Sequence, residues 1–378
     1  MVGDCPRRRG LSPIWRVSPL LLLLLLFPFA RAEVVYPPVV PGLELSFQRD
    51  EGAHPAYRIE WWYVTGWLDD DGPEPLGFQV TFFRVRPGIA EANPSAFAPK
   101  QVLFGHAAVA EPRHGKLRHA ERSAREGFDL AFAREGRVDV RLDDWTIRQD
   151  GAVYRTDVAG DGFRMQLELR PTQPPLLQGD RGFSRKGPGA LSASYYYSQP
   201  HLAVSGLVTL EGRERRVTGE AWLDHEWSSD FFEPDASGWD WMGINLDGGG
   251  ALMSFRMRDR KGGELWSAAT LRDANGVIRT FGRDEVQWTP GRTWRSPRTG
   301  ASYPVEWTVR VGPQTFAVAP VMDDAELDSR SSTGTIYWEG PVRLRNSGDK
   351  APVGRGYLEL TGYGGKGTGE GTGKGTVP

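Results

Sequence analysis

Asp224-His225-Glu226-Trp227 is the stretch of this chain best equipped for chemistry. It sets two acids, an imidazole and an indole side by side. Successive side chains of a strand point to opposite faces, so His225 and Trp227 share one face while Asp224 and Glu226 share the other. A His beside an indole could protonate an alkene or polarise a water, with the ring stabilising positive charge as it develops. The plain alternative is a polar strand end at a domain junction, its acids accepting backbone N–H bonds.

His54, Glu60, Trp61, Trp62 and Tyr63 form a second cluster. A carboxylate beside two indoles can be a pocket acid whose pKa is raised by desolvation. An arginine such as Arg84 or Arg256 could equally pair with it, and Trp pairs on a first strand often plug a barrel floor. Asp240 lies between Trp239 and Trp241, on the opposite strand face from both. In Tyr195-Tyr196-Tyr197 the outer two share a face and could line a pocket mouth. The catalytic candidates are therefore His225, Trp227, Glu226 and Asp240. The ligand-binding candidates are Glu60, Trp61, Trp62, Tyr63, Trp239, Trp241 and Tyr197.

Common hydrolytic patterns are missing. Gly182-Phe183-Ser184-Arg185-Lys186 fails the G-x-S-x-G pattern at its last position. His225-Glu226 has no His three residues after the Glu, so the H-E-x-x-H zinc pattern is absent. The six His are scattered and suggest no metal site. No dinucleotide fingerprint appears, and no cofactor is expected. Gly373-Lys374 imitates a phosphate loop, but Gly375 follows where Ser or Thr is needed.

The elements that must position these residues read as strands. Trp61 to Leu68 is aromatic and β-branched, the acidic turn from Asp69 to Pro73 breaks it, and Gly77 to Val85 resumes with alternating apolar residues. Similar runs are Val138–Leu142, Phe163–Leu169, Leu202–Leu210, Val217–Leu223, Ala251–Met257, Val305–Val311 and Gly356–Thr361. Short strands punctuated by Gly and Asp indicate a barrel or sandwich. Pro171 to Gly189 reads as a long loop. Gly362 to Pro378 has too little apolar surface to fold and reads as a disordered tail.

An internal repeat organises the whole. Trp61-Trp62-Tyr63, Leu68-Asp69 and Phe82-Phe83-Arg84 have counterparts in Trp239-Asp240-Trp241, Leu246-Asp247 and Phe255-Arg256. Gly219-Glu220-Ala221-Trp222-Leu223-Asp224 is mirrored by Gly354-Arg355-Gly356-Tyr357-Leu358-Glu359. Each half opens with a Trp-rich hairpin and closes with a Gly-x-[Ala/Gly]-aromatic-Leu-acid strand. The boundary falls between Trp227 and Trp239.

At the start, Arg7, Arg8, Arg9 and Arg16 precede an apolar run from Leu20 to Ala30, and Ala30-Arg31-Ala32 is an A-x-A site. This describes a secretory signal cleaved near Ala32 and a periplasmic or secreted product. An uncleaved anchor is the alternative, but the run falls short of the ~20 residues that a spanning helix needs. The single cysteine, Cys5, lies in this segment, so disulfides are not expected in the mature chain. Of 378 residues, 346 follow Ala32 and carry a net charge of −6, which argues against nucleic acid as a partner. The expected layout is a signal at 1–32, an N-terminal domain at 33–232, a C-terminal domain at 233–363 and a tail at 364–378.

Glu60-Trp61-Trp62-Tyr63-Val64-Thr65-Gly66, Gly77 to Arg84, Trp222 to Trp227, Gly238-Trp239-Asp240-Trp241 and Gly356 to Tyr363 together resemble the AttH-like/carotenoid 1,2-hydratase-like family. The resemblance implies an all-β fold of two tandem lipocalin-like barrels. For activity it implies two different things. One is an exported carrier of an apolar or amphipathic molecule, serving an envelope ABC-type transport system. The other is a cofactor-free hydratase-like lyase or isomerase acting on an isoprenoid-type substrate, with His225 and Trp227 matching the family's His-x-Trp segment and Asp240 or Asp247 as the downstream acid. A purely structural partner of a membrane complex is a third possibility. The carrier is the leading expectation, because an eight-stranded barrel can hold one small ligand and Trp-rich walls suit an apolar one.

Overall fold

The computed structural model describes Met1 and residues 34–70, 72–230 and 232–364. The expected signal and the Gly-rich tail lie outside the described residues. The body of the chain, from Tyr36 onward, is one compact unit.

It is all-β, as expected. The first thirteen strands form one antiparallel sheet: β1 (Ile59–Asp69), β2 (Leu76–Val85), β3 (Val102–Ala110), β4 (Arg118–Arg125), β5 (Ala131–Ala133), β6 (Asp139–Leu142), β7 (Trp145–Asp150), β8 (Val153–Gly160), β9 (Phe163–Pro171), β10 (Leu176–Leu177), β11 (Phe183–Arg185), β12 (Ala193–Leu210) and β13 (Arg213–Ser228). Their order is β4-β3-β2-β1-β13-β12-β9-β8-β7-β6-β5, with β10 and β11 added along β12. A second sheet repeats the scheme with β14 (Ala236–Leu246), β15 (Ala251–Asp259), β16 (Glu264–Arg272), β17 (Ile278–Phe281), β18 (Val286–Pro290), β21 (Trp307–Val311), β22 (Gln314–Pro320), β23 (Glu326–Ser329), β24 (Thr335–Asn346) and β25 (Gly354–Leu360). A small ribbon joins β19 (Thr293–Arg295) to β20 (Ser302–Pro304). Each large sheet curls into a nearly closed barrel.

The pairing registers carry the sequence repeat. In the first barrel β1 pairs β13 with Thr65 opposite Trp222 and Tyr63 opposite Asp224. In the second, β14 pairs β25 with Gly243 opposite Tyr357 and Trp241 opposite Glu359. The Pro171–Gly189 stretch is mostly irregular, and two short strands in it bond the edge of β12. Around Pro200 the β12–β13 register shifts between Gln199 and Leu202. There His201 takes a φ of 53°, and its backbone N–H donates to Asn245 of the second barrel at 3.0 Å.

Alternation explains the packing. Trp62, Val64 and Leu68 of β1 face the first barrel's interior with Phe78, Val80 and Phe82 of β2. Met242 and Ile244 of β14 and Leu358 and Leu360 of β25 do the same in the second barrel. The opposite faces, carrying Tyr63, Trp222, Trp241, Phe255 and Tyr357, pack against one another between the barrels. Every residue of β2 is buried because one face fills a barrel and the other meets its neighbour.

The barrels approach closely through glycine. A Cβ at Gly77 would lie 2.6 Å from the Tyr357 hydroxyl and 2.7 Å from Pro341. Nearby, Trp67 Nε1 donates to the Gly356 carbonyl at 3.0 Å. Gly77→Val should therefore push the barrels apart and destabilise the chain by ~1–3 kcal/mol, the range for overpacking. A thermal melt would report this as a clear fall in Tm, and an unchanged Tm would contradict the close approach.

Candidate functional site

Alternation along β13 sends its polar residues to two places. His225 and Trp227 point toward the end of the first barrel's interior. Asp224 and Glu226 point away from it, toward the second barrel.

Inside the first barrel, Glu60 is the hub of a buried network. His54 Nδ1 and His225 Nε2 lie 2.7 and 2.8 Å from its Oε1, and Arg84 Nε donates to Oε2 at 2.8 Å. His54 Nε2 lies 3.2 Å from Asp50, and its ring stacks on Trp227 at 3.8 Å between centroids. His225 stacks on Trp62 at 4.8 Å, with its Nδ1 3.3 Å from the Tyr197 hydroxyl. Burial pulls both imidazoles down. For His54 the carboxylates of Glu60 and Asp50 outweigh it and hold the pKa raised, whereas His225 stays lowered. Burial also opposes the Glu60 charge, but His54, Arg84 and His225 hold that carboxyl well below its ordinary range.

His54, Glu60 and His225 bring potential metal-ligating atoms within 4.8 Å of one another. Two histidines far apart in sequence meet here, which linear spacing could not reveal. Both Glu60 oxygens already accept protein hydrogen bonds, so the group has the form of a closed ion network rather than an open coordination site. Asp240 sits separately within the second barrel, where Arg256 Nε donates to it at 2.6 Å and the Tyr363 hydroxyl at 2.9 Å.

The other candidates meet between the barrels, where Trp61, Tyr63, Glu226, Trp239 and Trp241 line a cavity of about 60 Å³. Three further acids share it: Asp224, Glu339 and Glu359. Phe83, Phe255 and Tyr337 extend its aromatic wall, and Lys186 reaches in from the loop before β12. The barrel interiors themselves are filled by their cores. This cavity therefore lies between the barrels, not within one as the lipocalin analogy suggested.

The four carboxyls differ in their surroundings. Glu226 lies 2.7 Å from Lys186 Nζ and accepts a short hydrogen bond from Ser194. Asp224 accepts from Tyr196 at 2.6 Å, Ser198 at 2.5 Å and Trp222 Nε1 at 2.6 Å. Burial outweighs these donors and pushes its pKa up to about 7. Glu359 accepts from Trp239 Nε1 at 3.1 Å, and burial pushes it up to about 7 as well. Burial and the neighbouring Glu359 raise Glu339 well above the ordinary carboxyl range, against the pull of the Tyr63 and Tyr337 hydroxyls. One Glu339 oxygen has no hydrogen-bond partner among the described residues. Behind Tyr337, its hydroxyl lies 2.8 Å from His106 Nδ1, and His106 Nε2 lies 3.0 Å from Ser332 Oγ. Ser332 in turn bonds the half-buried Glu121.

Neutral carboxylic acids beside indole faces can donate a proton, while the rings stabilise positive charge. Sequence reasoning set Asp224 and Glu226 on one face and equated Asp224 with Glu359. It did not find Glu339, Tyr337 or Lys186. Glu339 and Tyr337 alternate along β24, a detectable pattern, whereas Lys186 lies in an irregular loop with no periodicity to mark it.

Two tandem barrels with an acid-bearing, aromatic cavity between them define a double lipocalin-like protein. The AttH-like family matches residues 38–363, and the chain belongs to that family. A protein of Nitrosomonas europaea assigned to AttH is 52% identical, covering 86% of this chain and 99% of its own, with a TM-score of 0.81. Kievitone hydratase from Nectria haematococca shares the fold at 15% identity and a TM-score of 0.65, covering 87% of this chain and 96% of its own. CghA shares it at 15% identity and 0.51, covering 89% and 98%. No curated protein sequence matches.

Asp224 yields a pH prediction. Its folded pKa lies above the unfolded carboxyl value, so the folded chain binds more protons. The contribution of Asp224 to stability must fall as pH rises from about 4 to about 7. Asp224→Asn removes this term, so the Tm of the variant relative to wild type should climb across that window. A constant difference would mean that Asp224 ionises normally.

Proposed function

We propose that this chain takes up an apolar or amphipathic small molecule in the cavity between its barrels, with the molecule's polar end against the buried carboxyls. The observation that carries this reading is the convergence of Asp224, Glu339 and Glu359 on one aromatic-walled space, one Glu339 oxygen being unpartnered. Burying a carboxyl without a full set of partners is destabilising, so packing alone gives no reason for three. Size narrows the occupant. A water needs ~10–15 Å³ in this measure, so the cavity holds about four. That suits a head group, and the half-buried Trp61 and Trp239 offer the remainder an apolar surface. Export through the N-terminal segment and service to an envelope ABC-type transporter extend the proposal. Their support is the Arg-flanked apolar run and the family's association with such systems.

Titration with the neutral fluorophore N-phenyl-1-naphthylamine tests uptake. It should bind saturably, and Trp241→Ala should weaken binding by about 10-fold or more, as expected for losing a buried aromatic contact. No binding by wild type, or equal binding by the variant, would remove the proposal's basis.

A second reading, cofactor-free hydratase-type chemistry, is favoured by one observation: Asp224, Glu339 and Glu359 share the cavity with indoles, and burial raises the pKa of each carboxyl. In it, those carboxyls act as acids, and His225, turned into the first barrel, supports the structure. Asp224→Asn or Glu359→Gln should then slow hydration of an isoprenoid alkene by ~10²–10⁴, the usual worth of a general acid. Turnover unaffected by both changes would exclude it.

A further inference from the structure

Lys186 is an ammonium group that the protein itself places in the cavity, and its setting shows what the site accepts. Its Nζ lies 2.7 Å from Glu226. It also sits over the faces of Tyr196 and Phe255, at 4.6 and 4.4 Å from the ring centroids. One carboxylate and two aromatic faces thus hold one organic cation, the pattern that favours ammonium groups in apolar surroundings.

The rest of the cavity offers the same components without a cation. Glu339 is buried and Glu359 half-buried there, and Tyr63, Trp241 and Tyr337 supply aromatic surface. Glu339, one oxygen of which lacks a partner, is at least nine-tenths buried, with the Tyr63 hydroxyl beside it. Lys186 is committed to Glu226. We infer that the molecule taken up carries a protonated amine as its polar end, and that Glu339, with Glu359 and the surrounding rings, receives it.

Other head groups fit less well. An anion would meet four carboxyls and one already paired lysine. A hard metal cation needs six or more oxygen ligands, or a retained water shell, and most of this wall is aromatic carbon. A neutral hydroxyl would satisfy one oxygen but make no use of the rings' attraction for positive charge. A primary or secondary ammonium donates N–H groups to Glu339 and Tyr63 and presents charge to the aromatic faces. The occupant class is therefore an amine-bearing amphiphile.

This inference rests on the uptake proposed above, and its test separates the two. 2-Phenylethylamine and its neutral counterpart 2-phenylethanol are titrated into the mature chain, with Trp fluorescence and calorimetry as readouts. The amine should bind at least about 10-fold more tightly, the scale of a desolvated cation–π contact combined with a charge-assisted hydrogen bond. In Glu339→Gln that ratio should collapse toward one. Glu359→Gln should reduce it in the same direction and serves if the first variant folds poorly. Equal affinities in wild type, or a preference that survives both substitutions, would overturn the inference. If N-phenyl-1-naphthylamine still binds in that case, uptake stands and only the ammonium assignment fails. If neither the fluorophore nor the two small probes bind, both fail.

Discussion

The structure depends on strands that bury both of their faces. In β1, β2, β13, β14 and β25 one face closes a barrel and the other presses on the neighbouring barrel, so most residues of their central stretches are shielded from water. Strand alternation then becomes a strict sorting rule. A slip of one residue in the β1–β13 register would exchange His225 with Asp224 and Trp62 with Tyr63. Packing of both cores holds that register, and the position of every polar group follows from it.

Two buried polar regions result, and they differ in kind. Around Glu60, opposite charges meet at hydrogen-bond distance: Arg84 and His54 face Glu60 and Asp50, and each polar atom of the carboxylate is used. Such a balanced network resists removal of any one member, because the partner left behind would be a buried, uncompensated charge. Between the barrels, four acids face one lysine. An imbalance of that sort opposes folding, and clusters of perturbed carboxyls in a cleft are where function is found. That contrast is why we place the proposed occupant in the second region rather than the first.

Much of this was readable in the chain itself. Alternation at Trp61 to Leu68 and at Gly77 to Val85 gave strands close to β1 and β2, the repeat gave two similar halves, and the family resemblance implied that each is a barrel. The same alternation set Asp224 and Glu226 opposite His225 and Trp227. What it could not supply was the identity of the face that meets the cavity. His225 and Trp227 stand out because His and Trp are chemically conspicuous, yet they face the first barrel, while the plainer acids face the cavity. The meeting of His54, Glu60, Arg84 and His225 depends on contacts across more than 160 residues, beyond any local pattern. Lys186 is placed by a loop bonded to the edge of β12, and loops carry no period. The span from Leu202 was read as a strand that starts after Pro200, but β12 continues through that point by way of the His201 bulge.

The tryptophan–glycine contact at the seam bears on how the chain is made. Trp67 and the carbonyl of Gly356 are 289 positions apart, so the interface is completed only once nearly the whole polypeptide is available. Until then the first barrel, synthesised first, must carry Tyr63, Trp222 and its other seam aromatics uncovered. Contacts of such long range form slowly, and exposed apolar surface on a half-made protein invites self-association. Biogenesis, more than final stability, is where this architecture is vulnerable, and an escort that shields the waiting face would answer that need.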